Sequence, residues 1–264
     1  MNKYSLIRVV LRLATTPIPV RSAGRESVRL PINFCTLHGP LDPKNVYLSG
    51  LVAAYQTVFG EPPWKETWPE DQVREKVLKD VSTPTSFLTL MFPPEEVGVR
   101  PVVGFAWGDV VQVSSLGQRA GSALGIRPAT LTGLQHELRC KGVERLLYFD
   151  EFAILASWRG GIEAIRGLLR PGLELGHGRD VRAMLFWSTP TSAIVPLAEV
   201  VGFEPILRIT PGESGEKEVV FLFTTDFWPV LKLAQSVSSH WVRRLFSLTS
   251  RIAGRSRKRT RKKR

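Results

Sequence analysis

Apolar positions recur in two rhythms along this chain, and the switch between them sets out its elements. Leu48, Leu51, Val52, Tyr55 and Phe59 follow an i, i+3/i+4 spacing, which predicts a helix from about 44 to 59, stopped by Gly60 and Pro62-Pro63. A second helix is expected over 69–81, with Pro69 at its first turn and Glu70 and Asp71 at its positive dipole end. Residues 86–92 (SFLTLMF) and 102–111 (VVGFAWGDVV) are short apolar runs at hairpin spacing, so an antiparallel pair is expected. Residues 28–37 give a first strand weakened by Pro31, and a helix covers about 130–140, ending at Gly142. The run 146–155 (LLYFDEFAIL) reads as a strand that leads through Trp158-Arg159-Gly160-Gly161 into a helix over 162–175. A strand at 181–187, a short helix at 190–201 opened by Pro190, and a hairpin of 203–210 with 218–224 complete the pattern. This order implies an α/β fold on a mixed sheet.

Beyond residue 226 the pattern changes. Residues 227–253 form a candidate amphipathic helix with Trp228, Leu231, Trp241, Leu245, Phe246 and Leu248 on its apolar side. Residues 254–264 hold no apolar side chain and are expected to be disordered. The domain boundaries are therefore a basic leader or first strand at 1–34, one domain at 35–226, the helix at 227–253 and the tail at 254–264.

Charge sharpens this division. The nine Lys/Arg and no acid of 251–264, and the net +5 of residues 1–34, account for more than the whole +12, leaving −2 for residues 35–250. No basic groove in the folded part is implied. Nonspecific contact with nucleic acid or an anionic membrane is expected through 251–264. Cys35 and Cys140 have no CxxC spacing and the four His are scattered, so neither a metal site nor a disulfide framework is expected. The expected location is the cytoplasm; the Arg-rich first 25 residues leave an organelle as the alternative.

The strand–Gly turn–helix unit is the sharpest chemical signal. Backbone N–H groups at a positive helix end, approached closely through glycines, suit a pyrophosphate. Three segments extend it. Residues 55–66 (YQTVFGEPPWKE), residues 148–162 (YFDEFAILASWRGGI) and residues 185–203, closing on AEVVGF, stand in the order of three motifs of the GNAT (Gcn5-related) N-acetyltransferases, which the chain resembles over about 44–225. The resemblance implies a mostly antiparallel sheet with two parallel central strands, 146–155 and 181–187, that splay apart. It implies acetyl-CoA or another acyl-CoA as co-substrate, no metal, and an amine acceptor. Pantetheine would pair with the backbone of Ala153 and Ile154, and pyrophosphate would sit on the N–H groups of Arg159, Gly160, Gly161 and Ile162.

The same resemblance makes Glu151 the candidate general base, with Asp150 alternating to the other sheet face. Trp64 and Glu66 would bind the acceptor, or serve as loop packing and a solvated charge. Thr189 and Ser192 would approach the thioester, or cap the helix after Pro190. Three positions depart from the family pattern. The Gly turn is one residue shorter, Glu163 stands where a small residue is usual, and Ala198 replaces the Tyr that often protonates the leaving thiolate. The alternative function is a catalytically weak module of this fold that binds RNA, ribosome or an acidic surface through its basic ends.

Overall fold

The computed structural model describes residues 32–62, 64–94, 101–119, 126–159, 162–190, 192, 194–210 and 218–231. Seven strands form one sheet: β1 (Asn33–His38), β2 (Ser86–Phe92), β3 (Gly104–Gln112), β4 (Arg145–Ile154), β5 (Met184–Ser188), β6 (Glu204–Ile209) and β7 (Val219–Thr224), in the order β1-β2-β3-β4-β5-β7-β6. All neighbours are antiparallel except β4 and β5, which are parallel. The helices are α1 (Leu48–Gly60), α2 (Glu70–Asp80), α3 (Pro128–Cys140), α4 (Ile162–Gly178) and α5 (Ile194–Val200).

Two helix layers cover the sheet. On one face α1 and α2 set Leu51, Val52, Tyr55, Val73 and Val77 against Leu88, Leu90, Phe105 and Trp107. On the other face α4 sets Ala164, Leu168 and Leu173 against Phe87, Ala106, Leu147 and Phe149. Here α4 lies close to the strands because two of its turns lack side chains. A Cβ on Gly167 would fall 2.1 Å from the Phe34 ring, and one on Gly172 would fall 2.4 Å from the Phe87 ring. Phe227 and Leu231 are buried in this second core, so the chain still packs on the sheet after its last strand.

Several boundaries differ from the periodicity. α1 begins at Leu48 instead of 44, because Asp42 and Asn45 accept the N–H groups of Lys44 and Tyr47 and hold that stretch in side-chain-bonded turns. α3 begins earlier, at Pro128, whose fixed φ suits a first helical turn. α5 begins later, at Ile194, after a turn in which the Ser192 N–H donates to Thr189 O. α4 continues to Gly178, which places His177 in its last turn, edge-on to Trp228 at 4.0 Å, instead of in a loop. The strand expected at 181–187 is shorter and lies at Met184–Ser188. Residues 28–31 of the first predicted strand, the helix expected beyond residue 231 and the basic tail lie outside the described residues.

A charged cluster at the splayed strands

β4 and β5 pair only at Leu147/Met184, Tyr148/Leu185 and Phe149/Phe186. β4 runs on to Ile154 and β5 to Ser188, so the strands part after Phe149. Past that point β5 stays paired with β7, through Ser188/Val220, and β4 stays paired with β3, through Ile154/Gly104. The edge of β4 from Asp150 to Ile154 therefore lies open on its β5 side, the geometry the sequence resemblance implies. Ala153 and Ile154, the predicted pantetheine partners, are on this open segment.

A β-bulge lies at the start of the opening. Trp107 faces Glu151 while its neighbour Gly108 faces Phe149, which leaves Asp150 as the extra residue. Gly108 is required at this point: a Cβ there would be 2.1 Å from Tyr148 O. The bulge overturns the expected alternation of Asp150 and Glu151. Glu151 stands opposite Trp107, on the α1/α2 face, and Asp150 reaches the same charged cluster, 3.7 Å from Arg119.

That cluster is buried. Glu151 Oε1 accepts from the Tyr55 hydroxyl at 3.3 Å and lies 3.5 Å from Lys76 Nζ. Lys76 donates to Asp80 Oδ2 at 2.7 Å, and the Trp107 indole N–H donates to the same oxygen at 3.3 Å. Arg119 pairs with Asp109 and donates to the backbone carbonyl of Asp80. The Thr83 hydroxyl also bonds Asp109. Burial pushes the Glu151 carboxyl up to about 7, against the pull of Lys76. Burial likewise raises Asp150 well above the carboxylate range. For Lys76, burial disfavours the charge, but Glu151, Asp80 and Asp150 outweigh it and its pKa is raised. Burial and the Glu151 charge raise Tyr55, so its hydroxyl stays a donor. A carboxyl group near 7 at the mouth of an open strand edge is half ionised at neutral pH and can take and return a proton.

The loop between α1 and α2 covers this edge. Trp64 meets Trp187 of β5 edge-on at 6.2 Å, so the loop reaches across to the strand on the far side of the splay. The Trp68 indole N–H donates to Glu66 Oε2 at 2.8 Å, and the Trp68 ring packs edge-on against Tyr55 at 5.5 Å. Trp64, Glu66 and Glu151 thus come together around one cleft. Arg159 is tied to the same edge: its Nε donates to Ile154 O at 2.7 Å and its Nη2 to Glu61 at 2.9 Å. The Arg159 backbone N–H closes a 3-10 turn on Ala156 O at 3.3 Å. Ile162 opens α4, while Gly160 and Gly161 lie outside the described residues. Arg166 bonds Glu163 within the first turn of α4.

Beyond β5, Thr189 is buried and its hydroxyl has no hydrogen-bond partner among the described residues. Ser192 Oγ accepts from the Ile194 N–H at 3.4 Å, as a helix-capping serine does. Ala198 is buried in the α4-side core. Sequence reasoning missed Tyr55 as a partner of Glu151, and it missed Lys76, Asp80, Asp109 and Arg119. One signal was available: positions 73, 76, 77 and 80 form a single helical stripe, and two of the four are charged.

No family model and no curated relative matches the chain by sequence. Solved structures match by fold. One is polyamine N-acetyltransferase of Drosophila melanogaster, an enzyme that forms N-acetylagmatine, with TM-score 0.51 and 14% identity, over 73% of this chain and 100% of that one. Another is an agmatine N-acetyltransferase variant, with TM-score 0.50 and 13% identity, over 72% of this chain and 98% of that one. The fold is that of the GNAT superfamily: a seven-stranded mixed sheet whose only parallel pair is β4 and β5.

Proposed function

We propose, with this fold as the premise, that the chain is an acyl-CoA-dependent N-acyltransferase that moves an acetyl group from acetyl-CoA to a primary amine. The observation that carries this reading is Glu151, a buried carboxyl with a pKa near 7 beside the open edge of β4. Glu151 takes a proton from the acceptor ammonium, directly or through one water. The freed amine attacks the thioester carbonyl, the C–N bond forms, the C–S bond breaks, and CoA leaves as a thiolate. Ala198 cannot return a proton to that sulfur. The unpaired Thr189 hydroxyl is the group we place against the sulfur, with solvent supplying the proton. Trp64 and Glu66 line the acceptor side, and Ala153, Ile154 and the turn at 159–162 receive the cofactor arm and phosphates.

The acceptor class stays open among polyamines, aminoglycosides, amino acids and protein amines. The test is release of CoA thiol from acetyl-CoA with a panel of these amines. With an acceptor so found, Glu151→Gln is expected to lower kcat by a factor on the order of 10²–10⁴, with acetyl-CoA affinity little changed. Unaltered turnover removes Glu151 from the mechanism. A second role is favoured by the nine basic residues of 251–264: nonspecific contact with nucleic acid or an anionic membrane.

A further inference from the structure

Lys76 is not part of the cleft, yet it is deeply buried on α2. Its Nζ lies 2.7 Å from Asp80 and 3.5 Å from Glu151, and 5.9 Å above the Trp107 ring. Burying an ammonium and a carboxylate together is an expensive way to hold a helix on a sheet, and apolar residues of similar volume do it as well or better. Val73 and Val77, on the same stripe, already supply that packing. The pair is set so that Lys76 extends from one carboxylate to another, and the second is Glu151.

We propose that Lys76, anchored by Asp80, is a positioning residue that keeps Glu151 able to ionise inside the fold. The inference rests on Glu151 being the base. Other groups facing Glu151 come from every packed element: Tyr55 from α1, Asp80 from α2, Asp109 from β3, Arg119 from the segment after β3, and Tyr148 and Asp150 from β4. Glu66, on the loop between α1 and α2, acts on Tyr55. Among them only Lys76 is a cation within 4 Å of the Glu151 carboxylate. Tyr55 contributes a hydrogen bond, and Asp80 and Asp150 oppose ionisation. Without Lys76, burial and two acids would leave Glu151 protonated at neutral pH and unable to accept a proton. Asp80 has two opposed effects, since its charge disfavours that of Glu151 while its bond to Lys76 holds the cation in reach. With Lys76 still held by Glu151 and by burial, the direct repulsion dominates.

Titration of Glu151 reads this without an acceptor. The full chain is labelled with side-chain-carboxyl ¹³C glutamate, the Glu151 signal is identified by its loss in Glu151→Gln, and its midpoint is followed with pH. Lys76→Met keeps the aliphatic shape and should move the midpoint up by about one pH unit or more. Asp80→Asn should move it down. The acid limb of the turnover profile should follow in the same directions, and Lys76→Arg should restore it. A midpoint that stays in place in both variants overturns the inference, as does an upward move in Asp80→Asn. If Lys76→Met fails to fold, the direction of the Asp80→Asn shift decides. Failure of the transferase reading shows separately, as unchanged turnover in Glu151→Gln.

Discussion

Burying Glu151 makes stability depend on pH in a direction that can be worked out. Its pKa in the fold is about 7 against an ordinary 4.5. Between those values the folded chain holds more proton than the unfolded chain, so this group makes stability fall as pH rises, and the loss is complete above about 7. Glu151→Gln removes that slope. Urea denaturation at a series of pH values should show the variant gaining on the parent from pH 5 to 7.5, by up to about 3 kcal/mol. Parallel pH dependence in the two proteins would place the proton elsewhere. At this scale the sequence exposed Glu151 through its place on the strand before the Gly turn. Its surroundings were hidden, because the bulge opposite Gly108 turns Asp150 and Glu151 into one cluster, and strict alternation predicts the reverse. A bulge comes from cross-strand register, which has no local signature beyond the glycine itself.

Strands of this fold were legible because each is a short apolar run between turn residues, and β2 falls where that pattern puts it. The helix starts were less so. Asx turns at Asp42 and Asn45 compete with the first turn of α1, and such side-chain bonds do not alter the apolar rhythm. The parallel pairing of β4 with β5 was expected from the resemblance and from the right-handed crossover through α4. What the pattern could not show is how closely α4 approaches the sheet. Its glycines are spaced to admit Phe34 and Phe87. Gly172→Ala should therefore destabilise the protein despite the better helix propensity of Ala, by about 1–3 kcal/mol from overpacking against Phe87. A stability equal to or above the parent's in chemical denaturation would mean that the Phe87 ring turns aside without cost.

Across the whole molecule the charge is divided: −2 over 35–250 and +9 over 251–264. Any binding to nucleic acid or anionic lipid is therefore expected to reside in the last fourteen residues. Cutting the chain after Ser250 should abolish most of it, and the parent's affinity for duplex DNA should fall with salt at a log–log slope of about −0.9 per phosphate neutralised. Salt-insensitive binding would instead mean a packed interface. The folded part is assigned a different task, and its central claim is that the splay between β4 and β5, with the turn at 159–162, receives acyl-CoA. Calorimetric titration of the full chain with acetyl-CoA tests this most directly, with Gly161→Val as the comparison. Saturable one-to-one binding by the parent, weakened at least about tenfold in the variant by the lost close approach of the phosphates, is the predicted result. A parent chain that binds no acetyl-CoA, or a variant that binds it equally well, would contradict it.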